Sequence, residues 1–251
     1  MIADIRDHSG APNTDPDLSD VAPDSPDSER YRLLPFRSPA ALEMHAYAAQ
    51  LRGERQTRPT DDIVSRLAAV GREASTLSEA EFQAMFLLLL VAGNETTRSA
   101  LSLGIQAFLD HPEQWQLLRE GSDVDLAVEE VLRWTTPLHH FRRTATQDTT
   151  LRGRTIRAGD KVVIWYTSAD HDEDVFTDPY RFDITRNPNP QIAFGRGGPH
   201  RCLGEHVART EIRIVLEELL TRGVTLTQAG PARRVRSNFT NGLKALPVQV
   251  S

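Results

Sequence analysis

The sequence predicts a mainly α-helical fold with small β-sheets. Three observations carry this. A proline-free stretch of about 30 residues opens on a helix-capping sequence; several shorter segments carry helix start signals; and alternating, β-like pieces are confined to Thr149–Trp165 and to the tail Val224–Val250.

Residues 1–39 read as a leader with six prolines, and residues 1–30 hold eight acids against two bases. Such a stretch buries too little apolar surface to offset the entropy of ordering, so it is expected to be poorly ordered. Ser38 suits an N-cap with Pro39 at N1. The helix it opens runs through Ala40, Leu42, Met44 and Tyr47 to about Arg55. A shorter helix is expected over Asp61–Val70. Ser78 and Glu81 then form a Ser-x-x-Glu capping box. No proline follows until Pro112, so one helix is expected from Glu79 to about Leu109. Its middle, Met85–Ala92, is apolar on every side, the pattern of a helix buried all round. Helices are next expected over Pro112–Arg119 and Asp125–Trp134. Thr149–Trp165, with Gly153 and Gly159 as turns, reads as two short strands. Residues 170–200 carry Pro179, Pro188, Pro190 and Pro199 and read as loop. A last helix spans about Leu203–Thr221.

With 251 residues, 25% charged and 39% hydrophobic, the chain suits one large domain or two small ones. The net charge of −6 lies wholly in residues 1–30, and residues 31–251 hold 27 groups of each sign. A balanced body argues against a nucleic-acid binder, which would carry a basic module. The single cysteine, Cys202, excludes an intrachain disulfide. Met1–Gly10 carries charges where a secretory signal needs an apolar core. The run Met85–Ala92 is too short for a membrane span. A cytoplasmic location is the expectation.

Three segments could carry chemistry. In the first, Gly93-Asn94-Glu95-Thr96-Thr97 follows a leucine run inside the long helix. Gly93 lets a partner approach the backbone, and Thr96 can bond the carbonyl of Ala92 and bend the helix. A helix simply emerging into solvent at Asn94 fits equally well. The second is Glu130 and Arg133, at i and i+3 on one helical face, where the guanidinium fork suits a bidentate carboxylate pair. The third is Phe194-Gly-Arg-Gly-Gly-Pro-His-Arg-Cys-Leu-Gly204. It precedes a helix, so Cys202 stands where the helix dipole favours a thiolate. Its glycines allow a flat ligand to lie against the backbone. A buried structural cysteine is the plain alternative. A zinc site from His200, Cys202 and His206 lacks a fourth ligand at recognised spacing.

In this order and spacing, the three segments resemble the C-terminal half of a cytochrome P-450, a haem-thiolate monooxygenase. Ala92–Thr96 resembles the oxygen-activation motif of the family's long central helix, Glu130-x-x-Arg133 its Glu-x-x-Arg, and Phe194–Gly204 its cysteine loop. The resemblance covers about Ala40 to Val250. Arg186–Pro190, Trp134–Pro137 and Asn241–Pro247 look most like the actinobacterial branch that hydroxylates steroids and methyl-branched lipids.

The resemblance implies haem b (iron protoporphyrin IX), with Cys202 as thiolate ligand of the iron, favouring O–O cleavage. Phe194, Gly195 and Gly204 would belong to the haem-binding loop, and His200 and Arg143 would hold the propionates. Thr96 and Glu95 would deliver protons to O2. Glu130 and Arg133, with Arg181 or Arg186, would form a structural ion-pair network. Leu138, His139, His140, Phe141, Phe239 and Thr240 would line a pocket for a hydrophobic substrate. A ferredoxin and an NAD(P)H-dependent ferredoxin reductase would supply electrons. The helices that precede the central helix in the family have no counterpart before Ala40, so residues 40–251 are expected to be the haem-binding latter part of a larger domain. Three readings follow: a monooxygenase inserting one oxygen atom of O2 into a C–H bond, a haem-binding fragment without activity, and a helical relic that binds no haem.

Overall fold

The structure, a computed structural model, describes residues 39–69 and 77–251. The expected leader lies outside the described residues except for Pro39. In chain order the elements are α1 (Pro39–Thr57), α2 (Ile63–Ala69), α3 (Glu79–Asp110), α4 (Pro112–Arg119), α5 (Val124–Thr135), β1 (His140–Thr144), β2 (Thr149–Leu151), β3 (Arg154–Ile156), β4 (Lys161–Trp165), α6 (Tyr166–Ala169), α7 (Glu205–Thr221), β5 (Leu226–Gln228), β6 (Arg233–Arg234), β7 (Leu243–Ala245) and β8 (Val248–Val250). The described residues are thus mainly helical with small antiparallel sheets. No described helix is long and apolar enough to cross a membrane. The chain divides into two compact units, Met1–Glu95 and Thr96–Ser251.

In the first unit, Asp62 starts α2 by accepting the N–H of Ser65 at 2.6 Å, satisfying a donor the helix itself leaves free. The capping box opens α3 reciprocally. Ser78 N–H donates to Glu81 Oε2 at 2.8 Å, and Glu81 N–H donates to Ser78 Oγ at 3.2 Å. The Ser78 N–H, and with it the Ser78 hydroxyl donating to the same Oε2 at 2.8 Å, holds the Glu81 carboxyl below its ordinary range. Ala48, Ala68, Phe82 and Phe86 form the core, with Met44, Leu51 and Val64 packed against it. The expectation that Met85–Ala92 is buried all round is corrected here. Phe86 and Leu87 are buried, but Met85 is 38% and Leu88 58% exposed. Among the described residues the core covers the Phe82–Phe86 side of the helix, and Met85 and Leu88, three residues apart, share another side.

In the second unit, Phe108 of α3, Leu118 of α4, Val128 and Leu132 of α5, Ile212 and Leu216 of α7, and Phe182 from the loop share one core. Asp123 caps α5 by accepting the N–H of Asp125 at 2.8 Å. A Cβ on Gly104 would stand 2.7 Å from Val131 Cγ1, so that glycine allows the close crossing of α3 and α5. β2 and β3 form a hairpin through Arg152 and Gly153, both at positive φ. The expectation of two strands within Thr149–Trp165 is extended to three. β4 pairs with β1 in antiparallel register, His140 opposite Trp165 and Thr144 opposite Lys161. Four short strands in the tail close two further pairs, β5 with β8 and β6 with β7.

Candidate functional site

The site is built outward from α5. Val128, Val131 and Leu132 bury one stripe of the helix, and Glu130 and Arg133 are also fully buried. Arg133 Nε and Nη2 donate to the two oxygens of Glu130 at 2.8 and 2.7 Å, a bidentate pair. The remaining Arg133 protons go to carbonyls. Nη1 donates to Asp170 O and Pro179 O, both at 2.8 Å, and Nη2 to Arg181 O at 3.1 Å. Glu130 also accepts from Asp183 N–H at 2.8 Å, Asn189 Nδ2 at 3.0 Å and Arg186 Nε at 3.2 Å. Both charges are therefore hydrogen-bonded on nearly every side, the condition under which a buried ion pair is tolerable. Of the two candidate arginines, Arg186 brings its guanidinium to Glu130. Arg181 enters through its main-chain carbonyl, which accepts from Arg133 and Arg186. Between Arg181 and Arg186, which the sequence leaves open, the ion pair with Glu130 is made by Arg186.

Beside this network lies Asp170, a buried residue without a motif around it. Its Oδ1 accepts Ile192 N–H at 2.7 Å, and its Oδ2 lies 3.0 Å from Thr136 Oγ. Burial pushes its carboxyl up to about 6, against the opposing pull of those bonds and of the Arg133 charge.

Ile192 roots the cysteine loop. Its carbonyl accepts Gly195 N–H at 2.7 Å, and Phe194 O accepts Cys202 N–H at 3.0 Å. Gly195, Gly197 and Gly198 all have positive φ, a conformation that side-chain-bearing residues rarely adopt. The Arg209 guanidinium stands 4.6 Å over the Phe194 ring and pairs with Glu129 and Glu205, linking α7, α5 and the loop. Cys202 is exposed, two residues ahead of the Gly204 N-cap of α7, so the buried structural alternative does not hold. His200 is exposed as well. No group of three or more His, Cys, Asp or Glu able to hold a metal ion occurs among the described residues.

The segments Leu138–Phe141 and Phe239–Thr240, far apart in sequence, meet. Leu138 bridges Thr240, and His139 N–H donates to Phe239 O at 2.8 Å. The Phe239 ring stands 5.5 Å from Phe141 and 5.8 Å from His140. Phe141 in turn faces Tyr166 at 5.7 Å, whose hydroxyl would lie 3.5 Å from a Cβ on Gly195. An aromatic run thus joins these segments to the cysteine loop. Burial pushes the His139 imidazole down, and the charges of His140 and Arg234 add to it. Its Nδ1 shares a hydrogen bond with Thr167 Oγ at 2.9 Å. Arg143, on β1, is exposed, with its guanidinium 5.9 Å from the Phe141 ring. Glu95 and Thr96 lie on α3, half-buried, past Gly93. A Cβ on Gly93 would meet nothing within 4 Å, and the helix runs on unbroken.

Two residues escaped the sequence reading. Asp170 and Asn189 sit in the loop between α6 and α7, and neither spacing nor periodicity marks them.

The profile of the family Cytochrome P450 matches residues 42–227. A steroid C26-monooxygenase of Rhodococcus jostii is 43% identical over 209 residues, covering 83% of this chain and 44% of that protein. A methyl-branched lipid omega-hydroxylase of Mycobacterium tuberculosis is 44% identical over 212 residues, covering 83% of this chain and 49% of its own. A solved structure, Mycobacterium marinum cytochrome P450 CYP268A2 in complex with pseudoionone, superposes with a TM-score of 0.78 at 41% identity, covering 87% of this chain and 55% of that one. The chain spans about half the length of the relatives it matches. From the family match and these identities, the chain belongs to the cytochrome P450 family.

Proposed function

We propose that this chain holds haem b through Cys202 and works as a monooxygenase on a hydrophobic substrate of the steroid or branched-lipid class. The observation that carries the reading is the exposed lone thiol at the end of a glycine loop that is tied into a buried charge network. The residues present fit the group. Cβ positions at Gly197 and Gly198 open on empty space, so a flat ring system can lie against that backbone. When bound, the haem supplies the redox chemistry by which one atom of O2 enters a C–H bond.

The chain's own residues have separable tasks. Cys202 Sγ is the ligand atom, and the backbone bond from Cys202 N–H to Phe194 O sets its place in the loop. Phe194, Gly195 and Gly204 shape the loop. The exposed Arg143 guanidinium and His200 ring offer donors to carboxylates such as the propionates. Thr96 Oγ and the Glu95 carboxyl hold and pass protons. The cluster of His140, Phe141 and Phe239 gives an apolar wall against which a hydrophobic substrate can shed water. A ferredoxin and an NAD(P)H-dependent ferredoxin reductase are the electron donors in this reading. The substrate class is supported by the names of the relatives at 43% and 44% identity.

The test is the carbon-monoxide difference spectrum of the reduced, haem-loaded chain. A red-shifted thiolate Soret band is expected; a band of the imidazole type or no band overturns the reading. Thr96→Ala is expected to keep that band while product per NADPH falls, and unchanged coupling removes Thr96 from the proton path.

A further inference from the structure

We propose that Asp170 is a positioning residue for the cysteine loop, fastening the loop's root at Ile192 to the C-terminal end of α5 at Thr136. The inference deepens the haem-thiolate reading and rests on it only for the loop's purpose.

The geometry is a relay of hydrogen bonds. Arg133 Nη1 donates to the main-chain carbonyl of Asp170 at 2.8 Å, fixing the backbone there. The Asp170 side chain then accepts Ile192 N–H at 2.7 Å. Ile192 O accepts Gly195 N–H at 2.7 Å, and Phe194 O accepts Cys202 N–H at 3.0 Å. Glu129 grips the same region through a side chain, accepting from Gln191 Nε2 at 2.9 Å. Asp170 is the group that holds the main chain of Ile192.

The second carboxyl oxygen of Asp170 meets the hydroxyl of Thr136. The hydroxyl of Thr136 lies 2.8 Å from Arg133 O and 3.0 Å from Asp170 Oδ2, and it has one proton to give. That proton is shared between Arg133 O and Asp170 Oδ2, so the hydroxyl ties the carboxyl to the end of α5. The charged group bearing on the carboxyl is Arg133 of α5, and burial outweighs its pull. The carboxyl thus accepts from Ile192 N–H and from Thr136 Oγ, and a side-chain amide with its oxygen toward Ile192 and its NH2 toward Thr136 keeps both contacts. A residue with neither group breaks the tie and leaves the half-buried Ile192 N–H without this partner.

The test reads amide hydrogen exchange on the 251-residue, haem-free chain. In Asp170→Ala, the amides of Ile192, Gly195 and Cys202 are expected to exchange about 10-fold faster or more, while those in the middle of α7 keep their rates. Asp170→Asn is expected to restore wild-type rates. The proposal is overturned if Gly195 and Cys202 are unmoved in Asp170→Ala, or if Asp170→Asn exchanges as fast as Asp170→Ala. Should Asp170→Ala fail to fold, the wild-type chain in sub-denaturing urea decides. Ile192, Gly195 and Cys202 are expected to open together, and Cys202 opening separately at lower urea overturns the tie. The carbon-monoxide spectrum keeps the two ideas apart. The exchange pattern without a thiolate band removes the haem reading and keeps the tie; the band with unmoved exchange in Asp170→Ala does the reverse.

Discussion

The Glu130–Arg133 network and the Phe194–Gly204 loop are built on opposite principles. In the first, two charges with no solvent exposure are met by carbonyls, an amide N–H, an asparagine and a second arginine. In the second, glycines at positive φ carry an exposed thiol held by a few backbone bonds. The polar core is over-determined, and the thiol is left open on a loop held by few bonds. The contrast teaches a division of labour. A loop with so much backbone freedom pays a large ordering entropy, and the rigid network next to it lowers that cost by pinning the loop's root.

Experiments can break or sharpen this contrast, in descending order of effect. Cys202→Ala removes the one thiol, and the thiolate band of the haem-loaded, reduced chain is expected to vanish entirely while circular dichroism stays unchanged. An unchanged band would place the ligand elsewhere. Arg133→Ala strikes the other side. It leaves Glu130 as an uncompensated buried charge, so urea denaturation is expected to show a loss of about 3–5 kcal/mol. A loss below about 1 kcal/mol would show that the network is not the rigid partner.

The third test uses pH. Asp170 stands at about 6 in the folded chain against 3.8 for the free group. Between those values the folded state holds a proton that the unfolded chain has released. Asp170 therefore contributes stability that is fully present below about 4 and lost as pH rises through about 6, at roughly 1.4 kcal/mol per pH unit. Stability of the wild-type chain minus that of Asp170→Asn, measured by urea titration from pH 4 to 7, should fall with this slope and flatten above 6. A flat difference would sink it. The smallest effect is expected from Glu129→Gln, which weakens a partly exposed ion pair with Arg209. About 0.5–1 kcal/mol is expected, reduced further by added salt.

Much of the helical frame was legible because its signals are local. The Ser78–Glu81 box, the Pro112 start and the apolar stripe of Val128, Val131 and Leu132 each fix an element without reference to the rest of the chain. Glu130 and Arg133 were legible as a pair for the same reason. The missed features are those that depend on distant partners. β1 carries Arg142 and Arg143 in mid-strand and becomes a strand by pairing with β4, some 20 residues on. Arg181 and Arg186 are equivalent in sequence, and the fold of residues 170–190 alone turns the Arg186 guanidinium onto Glu130. Asp170 looks like Asp172 and Asp174, its near neighbours. Burial separates it from them, and burial of a loop residue leaves no periodic trace. The all-round apolar pattern of Met85–Ala92 reports what the helix is suited to, whereas exposure of Met85 and Leu88 reports what the described residues cover.

The open placement of Cys202 also sets how the chain ages in air. With one thiol per molecule, the disulfide available to the protein joins two chains sulfur to sulfur, consuming both prospective iron ligands at once. A stored, metal-free sample would then become a covalent dimer that is folded yet blind to haem, and a thiol reductant would return it to service.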